Sequence, residues 1–199
     1  MALDVSAFYE DAAHEAVVGA FFRTHCDAIG VNALLRVRNN AGGHGAMTHA
    51  VRSFFSATKR GEIAGDAFLI ARDGNGIGVV ERERELKAIC EQLEIAVPIV
   101  YAIPEPHIEH WLLLDPHAIK TVFGVRFDEV AHHPNRGGYK NALAQVCVAA
   151  NINSPTGGIE FADDIVAVAN LQQIRQRDNS VDRFLRGIEA LRALPASRT

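Results

Sequence analysis

Cysteine is scarce in this sequence, and its placement excludes two kinds of stabilising site. The 199 residues contain three cysteines, Cys26, Cys90 and Cys147, which are odd in number and far apart. An odd set without a CxxC pair makes neither a disulfide framework nor a structural zinc site. We therefore expect three buried thiols in a protein that works in the reducing cytoplasm.

Long apolar runs and a strong net charge are also missing. No stretch is long enough to span a bilayer, and the N-terminal MALDVSAFYED lacks a basic, then apolar leader, so we expect no membrane segment and no signal peptide. The net charge of -4 gives no general attraction to nucleic acid, so a phosphate-binding surface would have to be a local basic patch. Hydrophobic residues make up 48% of the chain, which is enough for a full core.

The common glycine-rich nucleotide motifs are absent as well. The loop NNAGGHGAMTHAVRS has three glycines ahead of a predicted helix but follows neither GxxxxGK[ST] nor GxGxxG. Such a loop can still present backbone N–H groups to a phosphate at a helix N-terminus, with Gly43, His44 and Arg52 as the candidate contacts. The alternative is a plain surface turn flanked by Arg36 and Arg38.

What the chain does contain is a regular alternation of short apolar and amphipathic segments. LDVSAFYE, VNALLRVR, DAFLIA and VPIVYAI predict four strands, and the amphipathic segments between them predict helices. This βαβαβαβ order predicts an α/β fold with a mostly parallel four-stranded sheet flanked by helices, as in Rossmann-like proteins.

After Pro106 the pattern becomes helical. HIEHWLLLD and PHAIKTVFG predict two helices separated at Asp115–Pro116, and KNALAQVCVAAN predicts another. FADDIVAVANL and NSVDRFLRGIEALRAL predict two more, the second capped near Asn179–Ser180. We expect an α/β domain over residues 1–150 and a helical extension over 151–199 that packs on it.

Polar side chains follow three of the predicted strands. Glu10 follows the first strand, Asp73 and Asn75 the third, and Glu105 the fourth. In an open parallel sheet the carboxyl ends of the strands meet at one edge, where ligands bind. Carboxylates gathered there would repel one another unless a cation lay between them, and Mg²⁺ prefers such oxygen ligands. The sequence therefore predicts a divalent-metal site at this edge.

The same residues carry a resemblance to a known family. A glutamate after strand one in FYEDAAHE and an Asp-x-Asp-like turn after strand three in LIARDGNG resemble the Toprim domain of topoisomerases, primases and overcoming-lysogenization-defect nucleases. IPEPHIEHWLLLD resembles a PExEAWLLAD-type signature of small Toprim-like proteins of phage-defence loci. The resemblance covers roughly residues 4 to 150 and implies catalytic roles for Glu10, Asp73, Glu109 and Lys140, the last of which could neutralise a phosphate.

The resemblance also implies a function. It indicates a Mg²⁺- or Mn²⁺-dependent nuclease that acts on DNA or RNA, with metal ligands Glu10, Asp73, Asn75 and Glu105 and an ATPase of the ABC/SMC type as partner; self-association is a further expectation. One position departs from the family, because Asn75 stands where Toprim turns usually carry a second aspartate. The alternative is therefore a catalytically weakened Toprim subunit that binds or regulates the ATPase. An enzyme acting on a small phosphorylated molecule is a third alternative, since fold does not fix function.

Histidines offer a competing metal site. His107 and His110 are three residues apart on one predicted helix, and His132 and His133 could approach them. Imidazoles with Glu109 would suit zinc, although HExxH and Cys/His spacings are lacking. The plainer alternative places these histidines at the surface or beside the acidic site.

Overall fold

Four short apolar segments lie side by side as a parallel sheet. The computed structural model describes residues 2–40, 47–128 and 137–194. Its strands are β1 (Leu3–Tyr9), β2 (Ala33–Asn40), β3 (Ala67–Ala71) and β4 (Ile99–Ala102). They are ordered β2-β1-β3-β4, and every neighbouring pair is parallel. The predicted four-stranded parallel α/β sheet is confirmed.

Helices cover both faces of this sheet, as its continuous apolar strands require. In chain order they are α1 (Ala12–Ile29), α2 (Met47–Lys59), α3 (Val79–Gln92), α4 (Ile108–Leu113), α5 (Pro116–Phe123), α6 (Gly138–Ala149), α7 (Ala162–Val168), α8 (Leu171–Arg177) and α9 (Asn179–Ala190). Short 3-10 turns lie at Ile159–Phe161 and Leu191–Ala193.

The two faces of the sheet are covered by different helices because side chains alternate along each strand. Phe68 and Ile70 of β3 pack in a core formed with α2 and α3. Leu69, which points the other way, belongs to a larger core with α1 and the helices that follow β4. The helices of residues 151–194 lie in this larger core, on the same face as α1.

The C-terminal region corrects one prediction. Two helices were expected there, but α7, α8 and α9 form three, since the segment LQQIRQR is helical in its own right. Asn170 caps α8 by accepting a hydrogen bond from the N–H of Gln173 at 3.0 Å. The cap of α9 is Asp178, directly before the predicted Asn179–Ser180.

Strand order creates a crevice between the two central strands. The chain leaves β1 through α1 toward β2 on one side, and leaves β3 through α3 toward β4 on the other. Two adjacent strands whose connections diverge form a topological switch point, which is the usual ligand-binding position in open α/β sheets. The residues after β1 and β3 are therefore the ones to examine.

Two other expectations concern the chain as a whole. Cys26, Cys90 and Cys147 are all buried and unpaired, as predicted. Within residues 2–40, 47–128 and 137–194, no helix is both long and apolar enough to cross a membrane.

Candidate functional site at the carboxyl edge of the sheet

Glu10 and Asp73 meet at the switch point. Glu10 follows β1 and Asp73 follows Arg72 at the end of β3, and both carboxylates are buried, with 3% and 8% of the residue exposed. The backbone N–H of Asp73 donates to Glu10 Oε2 at 3.2 Å, across 63 residues of sequence. The two predicted acidic residues are thus in direct contact, and strand pairing brings them together.

Asp73 is held by two histidines. His14 Nε2 lies 3.1 Å from Asp73 Oδ1, and His107 Nδ1 lies 3.1 Å from Asp73 Oδ2. His14 is fully buried on the first turn of α1, where its Nδ1 contacts Asp11 Oδ1, the helix cap, at 2.8 Å. A continuous hydrogen-bonded chain therefore runs from Asp11 through His14 and Asp73 to His107.

The first three members of this chain, Asp11, His14 and Asp73, alternate in charge. Burial lowers the pKa of His14, but the hydrogen bonds and negative charges of Asp11 and Asp73 outweigh it and raise that pKa to about 10. Burial raises the pKa of Asp73, but the bonds and charges of His107 and His14 outweigh it and hold the pKa below its ordinary value. The pKa of Asp11 falls to about 2 because its bonds to His14 exceed the effect of burial. At neutral pH His14 is an imidazolium between two carboxylates.

The turn after Asp73 is packed against Glu105. The N–H of Gly76 donates to Glu105 Oε1 at 3.0 Å, and the N–H of Gly74 donates to the carbonyl of Pro104 at 2.7 Å. Glu105 Oε2 is buried and has no hydrogen-bond partner among the described residues. Asn75 occupies the left-handed region with φ of 52°, and its amide nitrogen is 3.5 Å from the carbonyl of Asp73.

Two arginines back the same turn on the α2–α3 face. Arg82, buried on α3, donates from Nε to the carbonyl of Asp73 at 3.2 Å and from Nη1 to Glu85 at 2.6 Å. Arg72 directly precedes Asp73. Burial and the charge of Arg82 lower the pKa of Arg72, while the carboxylates of Glu10 and Glu85 oppose that effect. The acidic site therefore has a cationic side.

Other predicted site residues lie elsewhere or outside the described ranges. Glu109 is partly buried on α4 and Lys140 is exposed on α6; in the described part of the chain no hydrogen bond or ion pair joins either of them to Glu10 or Asp73. Gly43 and His44, like His132 and His133, lie outside the described residues. Arg52 is exposed on α2, and it lines a cavity together with Arg72 and Arg82.

The two histidines of the competing site engage different groups. His107 Nδ1 contacts Asp73, whereas His110 Nδ1 lies 3.1 Å from the carbonyl of Glu105 and 3.5 Å from Asp178. Among the described residues the two rings therefore contact different groups. They belong to the framework of the acidic site.

Sequence reasoning missed His14, Arg72 and Arg82. A weak signal existed for each of them. His14 lies four residues after Glu10, in the first turn of the helix that follows β1. Arg82 lies four residues before the buried Leu86 on α3, so helical spacing places the two on one face. Arg72 continues the alternation of Phe68 and Ile70, which places it on the α2–α3 face.

The donor set fits a sparsely coordinated hard cation. Among the described residues no three His, Cys, Asp or Glu side chains are grouped to hold a metal ion by themselves. Mg²⁺ commonly binds one or two carboxylates and completes its shell with water and substrate phosphate. Glu10 and Asp73 supply two carboxylates, and each oxygen of Asp73 keeps a second lone pair beside its histidine. Glu105 Oε2 lies next to Gly74 and has no hydrogen-bond partner in the described part of the chain, so a metal-bound water would satisfy it.

Comparison with known proteins adds no family to this geometry. No family model, no curated protein and no solved structure matches the chain. The chemistry of the site is therefore argued from its own residues: two buried acidic residues joined at a switch point by the Asp73 N–H, with Asp73 held by His14 and His107 and the turn backed by arginines.

Proposed function

We propose that this chain is a Mg²⁺- or Mn²⁺-dependent nuclease of the Toprim type, which processes phosphodiesters of DNA or RNA together with an ATPase partner in phage defence. The observation that carries the proposal is the contact between the Asp73 N–H and Glu10 Oε2 at the switch point between β1 and β3. Glu10 and Asp73 are two of the positions at which the sequence resembles the Toprim domain. The ATPase partner and the defence role rest on that resemblance alone.

Glu10 and Asp73 would hold the metal ion, with Asn75 and Glu105 beside it. When bound, such an ion polarises a phosphate oxygen and lowers the pKa of an attacking water. His14 keeps Asp73 ionised and fixes its orientation, because the imidazolium is itself anchored on Asp11. The Glu10 carboxylate is oriented by the backbone of the β3 turn.

His107 is the member of the chain placed to exchange protons. Its side chain is 18% exposed, whereas that of His14 is only 1% exposed, so His107 is the imidazole that substrate or water can reach. Asp73 holds the ring in one orientation through Nδ1. A histidine oriented by a carboxylate is a common general acid or base. We assign His107 the transfer of a proton to the departing oxygen.

Single-atom substitutions test the metal-dependent activity. Cleavage of labelled single-stranded and double-stranded DNA and RNA is measured with Mn²⁺, with Mg²⁺ and with EDTA, for wild type, Glu10→Gln and Asp73→Asn. Both variants should lose on the order of 100-fold in rate and bind Mn²⁺ more weakly by calorimetry. Asp27→Asn, an exposed carboxylate near the far end of α1, serves as the control and should match wild type. Undiminished cleavage and Mn²⁺ binding in both site variants would refute the proposal.

Asn75 favours a second candidate, a weakened Toprim subunit that binds or regulates the ATPase. Its amide nitrogen faces the turn at 3.5 Å from the Asp73 carbonyl, where a carboxylate would add a negative charge. Asn75→Asp separates the two candidates, since aspartate also tolerates the left-handed backbone there. A weakened subunit should gain both Mn²⁺ affinity and cleavage on this substitution. A wild type that already cleaves as fast as the variant supports the nuclease instead.

A further inference from the structure

A cavity lined by arginines lies beside the acidic site. It measures about 460 Å³ and is formed by Arg52 of α2, Arg72 after β3 and Arg82 of α3, with Glu85, Ala88, Ile89 and Gln92 completing the wall. We call this cavity the arginine pocket. It opens on the α2–α3 face, directly behind the turn that carries Asp73.

The arginine pocket has an excess of positive charge. Besides the charge of Glu10, which also acts on Arg72, three arginines of the lining have a single lining carboxylate, that of Glu85. That carboxylate is already engaged by Arg82 Nη1 at 2.6 Å. Like charges brought together at a partly buried site raise its free energy unless an anion joins them. The pocket is therefore electrostatically incomplete.

Arg72 is the group most in need of a partner. Its Nε is buried and has no hydrogen-bond partner among the described residues. A buried donor left without an acceptor costs about 1–3 kcal/mol, so proteins rarely keep one without a function. Arg175 shows the ordinary structural alternative in the same chain, because it pairs with both Asp182 and Glu189. Within the described ranges Arg72 Nε makes no such pair.

We propose that the arginine pocket binds a phosphate of the nucleic-acid backbone next to the phosphate held at Glu10 and Asp73. The identification of nucleic acid rests on the proposed function. A guanidinium presents parallel N–H donors that match two phosphate oxygens, and three such groups, those of Arg52, Arg72 and Arg82, line the cavity. Arg72 adjoins Asp73 in sequence and Arg82 donates to the Asp73 carbonyl, so a bound phosphate would set the position of its neighbour over the carboxylates.

Binding without metal tests the pocket apart from the chemistry. Anisotropy of a labelled 12-nucleotide single strand is measured in EDTA over a range of salt concentrations. Arg72→Gln and Arg52→Gln should each weaken binding about tenfold and lower the salt slope by about one. Arg60→Gln removes an exposed arginine that pairs with Glu62 beyond the end of α2, and it should bind like wild type. Equal affinity of wild type and Arg72→Gln for the strand would overturn the proposal that the arginine pocket binds the nucleic-acid backbone.

Two further comparisons separate the possible failures. Arg72→Lys keeps the positive charge but loses the paired N–H donors of the guanidinium, so it should recover only part of the lost affinity. Thermal melts of each variant check that it folds. Glu10→Gln and Asp73→Asn should bind the strand in EDTA at least as tightly as wild type. The binding proposal for the pocket can therefore hold even if the protein shows no nuclease activity. If inorganic pyrophosphate occupies the pocket even when the 12-nucleotide strand is in excess, the pocket takes small phosphorylated molecules. That result would overturn the proposal that it binds the nucleic-acid backbone.

Discussion

At the scale of single residues, the turn after β3 depends on the absence of one side chain. A Cβ built on Gly74 would lie 1.9 Å from Glu105 Oε2 and 3.2 Å from the carbonyl of Pro104. No side chain fits there unless Glu105 moves away. The carboxylate and the glycine therefore form one packing unit beside Asp73.

Gly74→Ala should damage both stability and metal binding. We expect a loss of about 1–3 kcal/mol in the free energy of unfolding, as for other overpacked sites, together with weaker Mn²⁺ binding. Urea denaturation and calorimetry measure the two effects. Gly19→Ala is the matched control, because its Cβ meets only the flexible end of Arg23, and alanine favours the interior of α1. Equal stability of Gly74→Ala and wild type would show that Glu105 is free to leave the turn.

His25 gives the fold a dependence on acid. It is buried on α1 with Nε2 3.3 Å from Glu189, and burial lowers its pKa below the ordinary 6.5. Below pH 6.5 the unfolded chain therefore takes up the proton more readily than the folded one, so stability falls as the pH falls.

The corresponding test is a comparison of wild type with His25→Gln. The wild type should lose up to about 1.4 kcal/mol per pH unit more than the variant within that window, and the difference should vanish above it. Urea midpoints at a series of pH values provide the measurement. His49→Gln, an exposed histidine on α2, should keep the wild-type slope. Parallel curves for wild type and His25→Gln would contradict the assignment.

At the scale of secondary-structure elements, Asp115 joins two helices that are distant in sequence. Its Oδ1 accepts from the N–H groups of His117 and Ala118 and so caps α5. Its Oδ2 accepts from the N–H of Asn170 at 2.9 Å, directly before α8. The same carboxylate therefore caps α5 and also holds the backbone of Asn170, the residue that precedes α8.

Asp115→Ala should cost about 2–3 kcal/mol in the free energy of unfolding. Loss of a helix cap accounts for about 0.5–2 kcal/mol, and the N–H of Asn170 is left without its acceptor. Chemical denaturation measures the loss. Asp128→Ala, an exposed aspartate paired with Arg126, should change stability by less than about 0.5 kcal/mol. If Asp115→Ala behaves like this control, the link to α8 contributes nothing.

The secondary-structure elements also show which parts of the fold can be predicted from sequence patterns. The strands and the break at Asp115–Pro116 could be predicted, because apolar periodicity and proline act locally. The division between α7 and α8 could not, since Asn170 is fixed by the carboxylate of Asp115 from 55 residues away.

The candidate site likewise has contacts that the sequence predicts and contacts that it does not. The meeting of Glu10 and Asp73 follows from the rule for parallel strand ends, so it could be predicted. The contacts of His14 and Arg82 depend on how α1 and α3 are rotated against the sheet, which no local pattern specifies. That Arg72 Nε is buried without a hydrogen-bond partner among the described residues is likewise visible only in three dimensions.

At the scale of the whole molecule, the C-terminal helices complete the core of the α/β sheet. Trp111 of α4 packs between Phe21 of α1 and Phe184 of α9, with both ring centroids 5.4 Å away. Gly187 of α9 lies close to β4, where an added Cβ would be 3.1 Å from Val100. One face of the sheet is therefore covered jointly by the first helix and the last.

A chain that ends at residue 150 should accordingly fail to fold cooperatively. Without α9 the side chains of Val100 and Trp111, buried at 2% and 0% exposure, would face water, and exposing a large apolar side chain costs about 1.5–3 kcal/mol. The sum over this face exceeds the usual margin of stability of a small domain. We expect a broad thermal transition and aggregation in the truncated chain.

Fluorescence measures this dependence in the intact chain, because Trp111 is the single tryptophan. Its indole N–H donates to Ser180 Oγ on α9 at 2.8 Å. Phe184→Ala should shift the emission to longer wavelength and cost about 3–5 kcal/mol, whereas Val168→Ala, at an exposed position of α7, should change neither. Native-like emission from the chain cut at residue 150 would mean that the sheet folds without α9. In that case the C-terminal helices would be an added layer whose removal leaves the acidic site and the arginine pocket intact.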